Sequence, residues 1–357
     1  MRLIGEAELE DIAVGAAILG TGGGGDPYIG KLLAQEAVRR HGPVQLVDVD
    51  EVDDDAFVVP SAMMGAPTVM VEKLPRGTEV IRAFEALGDY MGRKPTHTVS
   101  IEAGGLNSTT PFVVAAQLGL PLVDADGMGR AFPEIQMIIA TMHGVKATPM
   151  TLADEKGNSA VIDTIDNTWT ERLARTLTVD FGATAMIALY PMAGKQLKGG
   201  AFVAGTISLA EELGRLVRET RAAHGDPIGA VVERLGGRRL FAGKVVDVAR
   251  RTEAGWAKAE ARLEGGGSTL VLQTQNEHLV AIRDGEVVCS VPDLIIVMDA
   301  ETGEPITTEE LRYGFRVVVL GAPCVPAWRT EEGLALVGPR YFGYDIDFVP
   351  VEERFPE

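Results

Sequence analysis

The stretch IEAGGLNSTTPFVVAAQLGLPLVDADGMGRAFPEIQ, residues 101–136, constrains this chain most. Two short apolar runs each end in glycine and small polar or acidic residues. Residues 99–101 lead into Gly104, Gly105, Asn107 and Ser108. Residues 120–123 lead into Asp124, Asp126, Gly127, Gly129 and Arg130. Between them Pro111 suits a helix's first turn, with Thr109 or Thr110 as cap and Gly119 as stop. The pattern predicts strand, loop, helix, strand, loop. In open α/β sheets the loops that follow strands form the ligand crevice. Any one Gly or Asp also makes an ordinary turn, but two such loops around one helix favour the crevice.

Upstream, Leu9, Ile12, Ala13, Ala16 and Leu19 recur at helical spacing until the glycines at 20 and 22–25. Asp26 is placed to cap the next helix, with Pro27 in its first turn. Glycines ahead of a helix N-terminus can cradle an anion, and Gly24, lacking a side chain, can approach a small ligand closely. The same run also reads as a plain connection between helices. It is no dinucleotide fingerprint, because a helix and not a strand precedes it, and no Gly-Lys-Ser/Thr follows as a P-loop requires.

Residues 44–49 and 57–59 read as strands and 61–67 as another crevice-type loop. Val80, Phe84, Leu87 and Met91 mark a helix face stopped by Gly92. Thr168 with Glu171 and Ser208 with Glu211 form capping boxes that open two further helices. From Arg238 the apolar period changes to two, with short strands and an Asp284-Gly285 hairpin signal that read as a barrel or sandwich.

The 357 residues suffice for about two domains. A net charge of −18 argues against nucleic acid and against an anionic membrane surface. No apolar run approaches the roughly 20 residues of a membrane span, and the acidic start MRLIGEAELED lacks a signal peptide's apolar region. Cys289 and Cys324 are the two cysteines, too few for a disulfide framework or a paired-cysteine metal motif. A cytoplasmic protein with a small-molecule substrate is expected, and a homo-oligomer is left open.

EAGGLNS, GLPLVDADGMGRAFPE and LADEKGN, with GTGGGGDP before them and NEHLVAIRDGEVVCSVPDLI and RYGFRV after, occur in one order along the chain. Together they resemble the S-methyl thiohydantoin desulfurase family over nearly the whole length. The resemblance implies a three-layer α/β domain, set here at 1–170, followed by a β-barrel-like domain. The second part, 171–357, would begin with an α/β connector to about residue 236, where the period-two pattern takes over. The implied chemistry is hydrolytic release of methanethiol from an S-methyl thiohydantoin, a step in bacterial ergothioneine-type breakdown, leaving a hydantoin. Some members are linked to hydantoinase or oxoprolinase partners, so a non-catalytic subunit or binding module is the alternative.

Expelling a thiol from a ring carbon between two nitrogens needs a water, a base and help for the leaving group. Carboxylates serve when burial or a like charge raises their pKa. Asp124 and Asp126 are the first candidates for base or metal ligand, with Glu134 or Asp26 as second carboxylate; each also suits capping or turn making. Asn107 and Ser108 suit the ring's carbonyl or nitrogen. Arg130 suits a substrate carboxylate or a surface ion pair. Asn276 and Glu277 would close the site from the β-rich part. The five histidines show no zinc spacing, so no cofactor is assigned, and a divalent metal ion is left open. Cys324, in GAPCVPAW, is expected to be a small buried residue and not a nucleophile.

Overall fold

The computed structural model describes residues 1–25, 27–65, 69, 76–253 and 256–354. The first strands are β1 (Arg2–Ile4), β2 (Val44–Val47), β3 (Phe57–Gly65), β4 (His97–Ser100) and β5 (Leu122–Asp126). They continue with β6 (Met150–Ala153), β7 (Ser159–Ile162), β8 (Thr184–Ala188), β9 (Met192–Ala193) and β10 (Val203–Ala204). These build one mixed sheet in the order β1-β2-β5-β4-β3-β8-β6-β7, with β9 added to β3 and β10 to β5. The β2/β5, β5/β4 and β4/β3 pairs are parallel, so β3, β4 and β5 end side by side.

Burial on both faces organises this sheet. Along β3, Phe57, Val59 and Met63 join one apolar cluster, while Val58, Ala62 and Met64 join another. A strand covered on both sides reads as a continuous apolar run, which is why residues 61–65, expected as loop, extend β3 instead. They pair antiparallel with β8, Ser61 opposite Ala188 and Gly65 opposite Thr184. Residues 66 and 67 of that expected loop lie outside the described residues. The central stretch folds as read: the helix Thr110–Leu118 has Thr109 as N-cap residue, Pro111 in its first turn and Gly119 in the left-handed region at its end.

The two expected capping boxes are corrected. The helix Asn167–Asp180 is capped by Asp166, which accepts from Trp169 N at 2.8 Å. The helix Thr206–Ala222 begins ahead of Ser208 and is capped from β5. Asp124 Oδ1 accepts from Ile207 N at 2.9 Å and Ser208 N at 3.0 Å, and Ser208 Oγ donates to its other oxygen. A cap supplied from another element leaves no signature at the helix's own start.

The second sheet comprises β11 (Arg238–Glu253), β12 (Trp256–Gly265), β13 (Ser268–Gln275), β14 (Glu277–Arg283), β15 (Glu286–Ser290), β16 (Leu294–Asp299) and β17 (Arg316–Ala322). It is antiparallel, ordered β15-β14-β13-β12-β11-β17-β16, and curls into a half-barrel in which β14 and β15 approach β16. Bulges in β11 between Val245 and Asp247 and between Arg239 and Phe241 help it bend. Ile295 and Val297 face the barrel's own core, while Ile296 and Met298 join Val99 and Val123 of the first sheet. The two sheets therefore share one apolar cluster. Among the described residues no helix is long and apolar enough to cross a membrane.

The helix Glu6–Leu19, which feeds the glycine run, is fixed by its crossing with Thr206–Ala222. A Cβ at Gly15 would lie 1.8 Å from Ala210 O, and one at Gly214 would lie 1.9 Å from Asp11 O. Arg218 closes the crossing with two bonds of 2.9 Å to Asp11. Gly15→Ala must separate the two helix backbones. It should lower the unfolding free energy in urea by about 1–3 kcal/mol, the usual cost of overpacking; an unchanged midpoint would contradict this crossing.

Candidate active site

The end of β3 and the loops after β4 and β5 meet the glycine run and the β13–β14 turn around a cavity of about 80 Å3. One water needs about 10–15 Å3, so the space suits several waters or a small ring. Met63 and Met64 line it from β3, Ile101, Glu102 and Asn107 from the loop after β4, and Met128, Phe132 and Glu134 from the loop after β5. Gly23, Gly24 and Gly25 form another wall, and Asn276 and Glu277 reach it from the second sheet.

Glu102 is buried and held on both oxygens. Asn107 Nδ2 donates to Oε1 at 2.7 Å, and Phe132 N donates to Oε2 at 3.3 Å. Burial outweighs these bonds and pushes its pKa up to about 7. Asn107 in turn accepts from Met63 N at 2.8 Å and donates to Met63 O at 3.2 Å. Its oxygen and both its N–H groups are engaged, so it positions Glu102. Ser108 does not line the cavity; its Oγ accepts from Gly104 N at 3.1 Å and shapes the loop.

Glu277 opens β14 and is 3% exposed. Burial first, then the neighbouring Glu102 carboxyl, raises its pKa well above the ordinary value, with Arg130 opposing. Its Oε2 has no hydrogen-bond partner among the described residues. A Cβ at Gly23 would lie 2.1 Å from Glu277 Oε1, so only glycine lets this carboxyl reach the cavity. Asn276 takes the left-handed turn position, φ +59°, which asparagine tolerates. Its carbonyl accepts from Thr308 Oγ1 at 2.6 Å. Behind Glu277, burial and Arg130 push His278 down to about 3, so its ring is neutral.

Arg130 is fully buried, which overturns the surface ion pair, and it lies behind the cavity wall. It donates to Pro292 O at 2.7 Å, Asp293 O at 2.8 Å, Thr21 Oγ1 at 2.8 Å and Ala131 O at 3.1 Å. Its guanidinium stacks on Phe132 at 4.5 Å. These contacts tie the loop after β5 to the glycine run and the second sheet. Trp328 adds to the tie, donating from Nε1 to Met128 O at 2.7 Å.

Asp124 and Asp126 diverge. Asp124 is the remote helix cap, whereas Asp126 Oδ1 accepts from Met128 N and Gly129 N, both at 2.6 Å. Asp126 Oδ2 has no partner among the described residues, and burial pushes the group up to about 6. Neither lines the cavity. Glu134 does, and it accepts from Tyr341 Oη at 2.8 Å; burial raises its pKa. Asp26 lies outside the described residues. Cys324 is buried, away from the cavity, with its thiol pushed up to about 12 by burial and Asp293. Among the described residues no group of three or more His, Cys, Asp or Glu could hold a metal ion.

Gly24, Asn107, Glu134, Asn276 and Glu277 thus share one cavity. Sequence reasoning missed Glu102, although it is the one carboxylate in the loop after β4, two residues past the strand. Models of the S-Me-THD-like N-terminal and C-terminal domains match residues 7–164 and 165–351. A crystal structure of a Chromobacterium violaceum protein superposes with a TM-score of 0.82 at 26% identity, covering 98% of this chain and 100% of the other. No curated protein matches the chain.

The raised pKa of Asp126 has a measurable consequence. Its folded pKa of about 6 exceeds the ordinary 3.8, so its contribution is complete below 3.8 and is lost as pH rises through 6. Asparagine cannot ionise. Asp126→Asn should therefore gain stability relative to the parent between about pH 4 and pH 8, by about 1–3 kcal/mol in denaturant titrations. A difference constant with pH would contradict the assignment.

Proposed function

The chain belongs to the S-Me-THD-like family, and from that premise we propose that it hydrolyses the C–S bond of an S-methyl thiohydantoin, a small-molecule substrate. The products are methanethiol and the hydantoin. The observation that carries this reading is the pairing of Glu102 and Glu277, two buried carboxyls from different sheets, on one small cavity. Their environments favour different protonation states. Glu102 receives two N–H bonds and sits near 7, suited to a base at neutral pH. Glu277, with an unpartnered oxygen and a pKa raised well above the ordinary value by burial and the Glu102 carboxyl, is assigned the role of acid. Pairs held apart in this way mark acid and base roles.

Glu277 protonates the ring nitrogen, making the carbon between the nitrogens more electrophilic. Glu102 takes one proton from the attacking water as the C–O bond forms. Collapse of the tetrahedral intermediate breaks the C–S bond, and the departing sulfur takes the proton held by Glu102. The new hydroxyl returns its proton to Glu277 as the carbonyl forms, restoring both carboxyls. Met63, Met64, Ile187 and Leu189 give the methylthio group an apolar, polarisable wall.

Purified protein should release methanethiol from an S-methyl thiohydantoin, followed with a thiol-reactive dye. Glu102→Gln should lower kcat by about 10²-fold or more, the scale of a lost general base. Because Glu102 acts ionised, kcat/KM should rise with pH through about 7. Saturable binding without thiol release would point to a binding module instead, and full activity in Glu102→Gln would remove the base.

A further inference from the structure

The cavity is rich in carboxyls and poor in cations. Glu102, Glu134 and Glu277 line it, and among the described lining residues the one cation is Arg175. Arg175 is already ion-paired with Glu171 and donates to Pro133 O at 3.1 Å. Arg130, the other nearby cation, stands behind the wall with its N–H groups on carbonyls and Thr21. Glu277, 97% buried by its 3% exposure, keeps Oε2 without a partner. Such a carboxyl is costly to bury unless an opposite charge or a donor completes it.

The three carboxyls come from three separate segments, and among the described residues they form no group of three or more His, Cys, Asp or Glu that could hold a metal ion. Carboxyls set around a cavity match a cation whose charge and N–H donors are spread over several edges. Met63 and Met64 on the wall offer polarisable sulfur to the face of a flat ring.

We infer that this cavity binds flat, delocalised cations of the amidinium and guanidinium class, pairing their edge N–H groups with Glu102, Glu134 and Glu277. The inference rests on the hydrolase reading for its site, and it adds that the thiohydantoin is held as its ring-protonated cation, formed as Glu277 passes its proton to the ring nitrogen and becomes the paired carboxylate. It also makes a cyclic guanidinium without a leaving group an inhibitor.

The test is calorimetric binding to the full chain of two rings of one shape, 2-aminoimidazoline, a cation, and 2-imidazolidinone, its neutral counterpart. The cation should bind at least about tenfold more tightly, since hydrogen bonds to charged groups exceed neutral ones by that scale. Glu134→Gln and Glu277→Gln should each remove most of that preference, read as the ratio of the two rings' affinities in each variant. Equal affinity for the two rings, no binding of the cation, or a preference that survives both variants would overturn the inference. Tight cation binding in a protein that releases no methanethiol would sink the hydrolase reading and leave this one standing.

Discussion

Everything at the site depends on a stretch of backbone that carries no side chains, residues 22–25. A Cβ at Gly24 would lie 2.3 Å from Gly104 Cα, and one at Gly23 would strike the Glu277 carboxyl. The carbonyl of Gly24 accepts from Leu106 N at 2.9 Å and Asn107 N at 3.2 Å, while that of Gly22 accepts from Thr308 N at 2.9 Å. The run therefore ties the loop after β4 to the second sheet. Through it, Asn107 and Glu102 on one side come within reach of Glu277 on the other. An ordinary connection between helices would keep these carboxyls apart.

Burial supplies the chemistry that this geometry permits. In water two glutamates would both be ionised and unremarkable as bases. Taken out of water beside each other, each favours the neutral form, and the hydrogen bonds that differ between them separate their roles. Arg130 keeps the arrangement from becoming prohibitive, because a fixed guanidinium behind the wall lowers both carboxyls somewhat. The same group holds the loop after β5 against Pro292 and Asp293, so electrostatics and packing are set by one side chain.

The sequence made some of this legible. The βαβ unit around residues 101–136 followed from Pro111, Gly119 and two apolar runs, and the change of period at Arg238 coincides with the start of β11. Asn107 and Glu134 could be named because polar residues on post-strand loops gather where parallel strands end, and Asn276 and Glu277 as residues of the β-rich part that would close the site. Asp124 stood beside Asp126 as a catalytic candidate because strand spacing says nothing of a helix, more than 80 residues later, that borrows its carboxylate as cap. Arg130 looked like a surface or ligand group because three of its partners are backbone carbonyls and the fourth is the distant Thr21 hydroxyl, which no side-chain pattern records. Glu102 was passed over for a similar reason: its role depends on Glu277, more than 170 residues away, arriving beside it.

The central claim is that Glu102 and Glu277 act as one unit across the two sheets. A double-mutant cycle on kcat for methanethiol release tests it directly. Groups that serve one step are strongly non-additive. The variant carrying both Glu102→Gln and Glu277→Gln should therefore be no more than about threefold slower than the slower single variant. Losses that multiply, so that the double variant's defect equals the product of the two single defects, would show that the carboxyls work independently and would contradict the account.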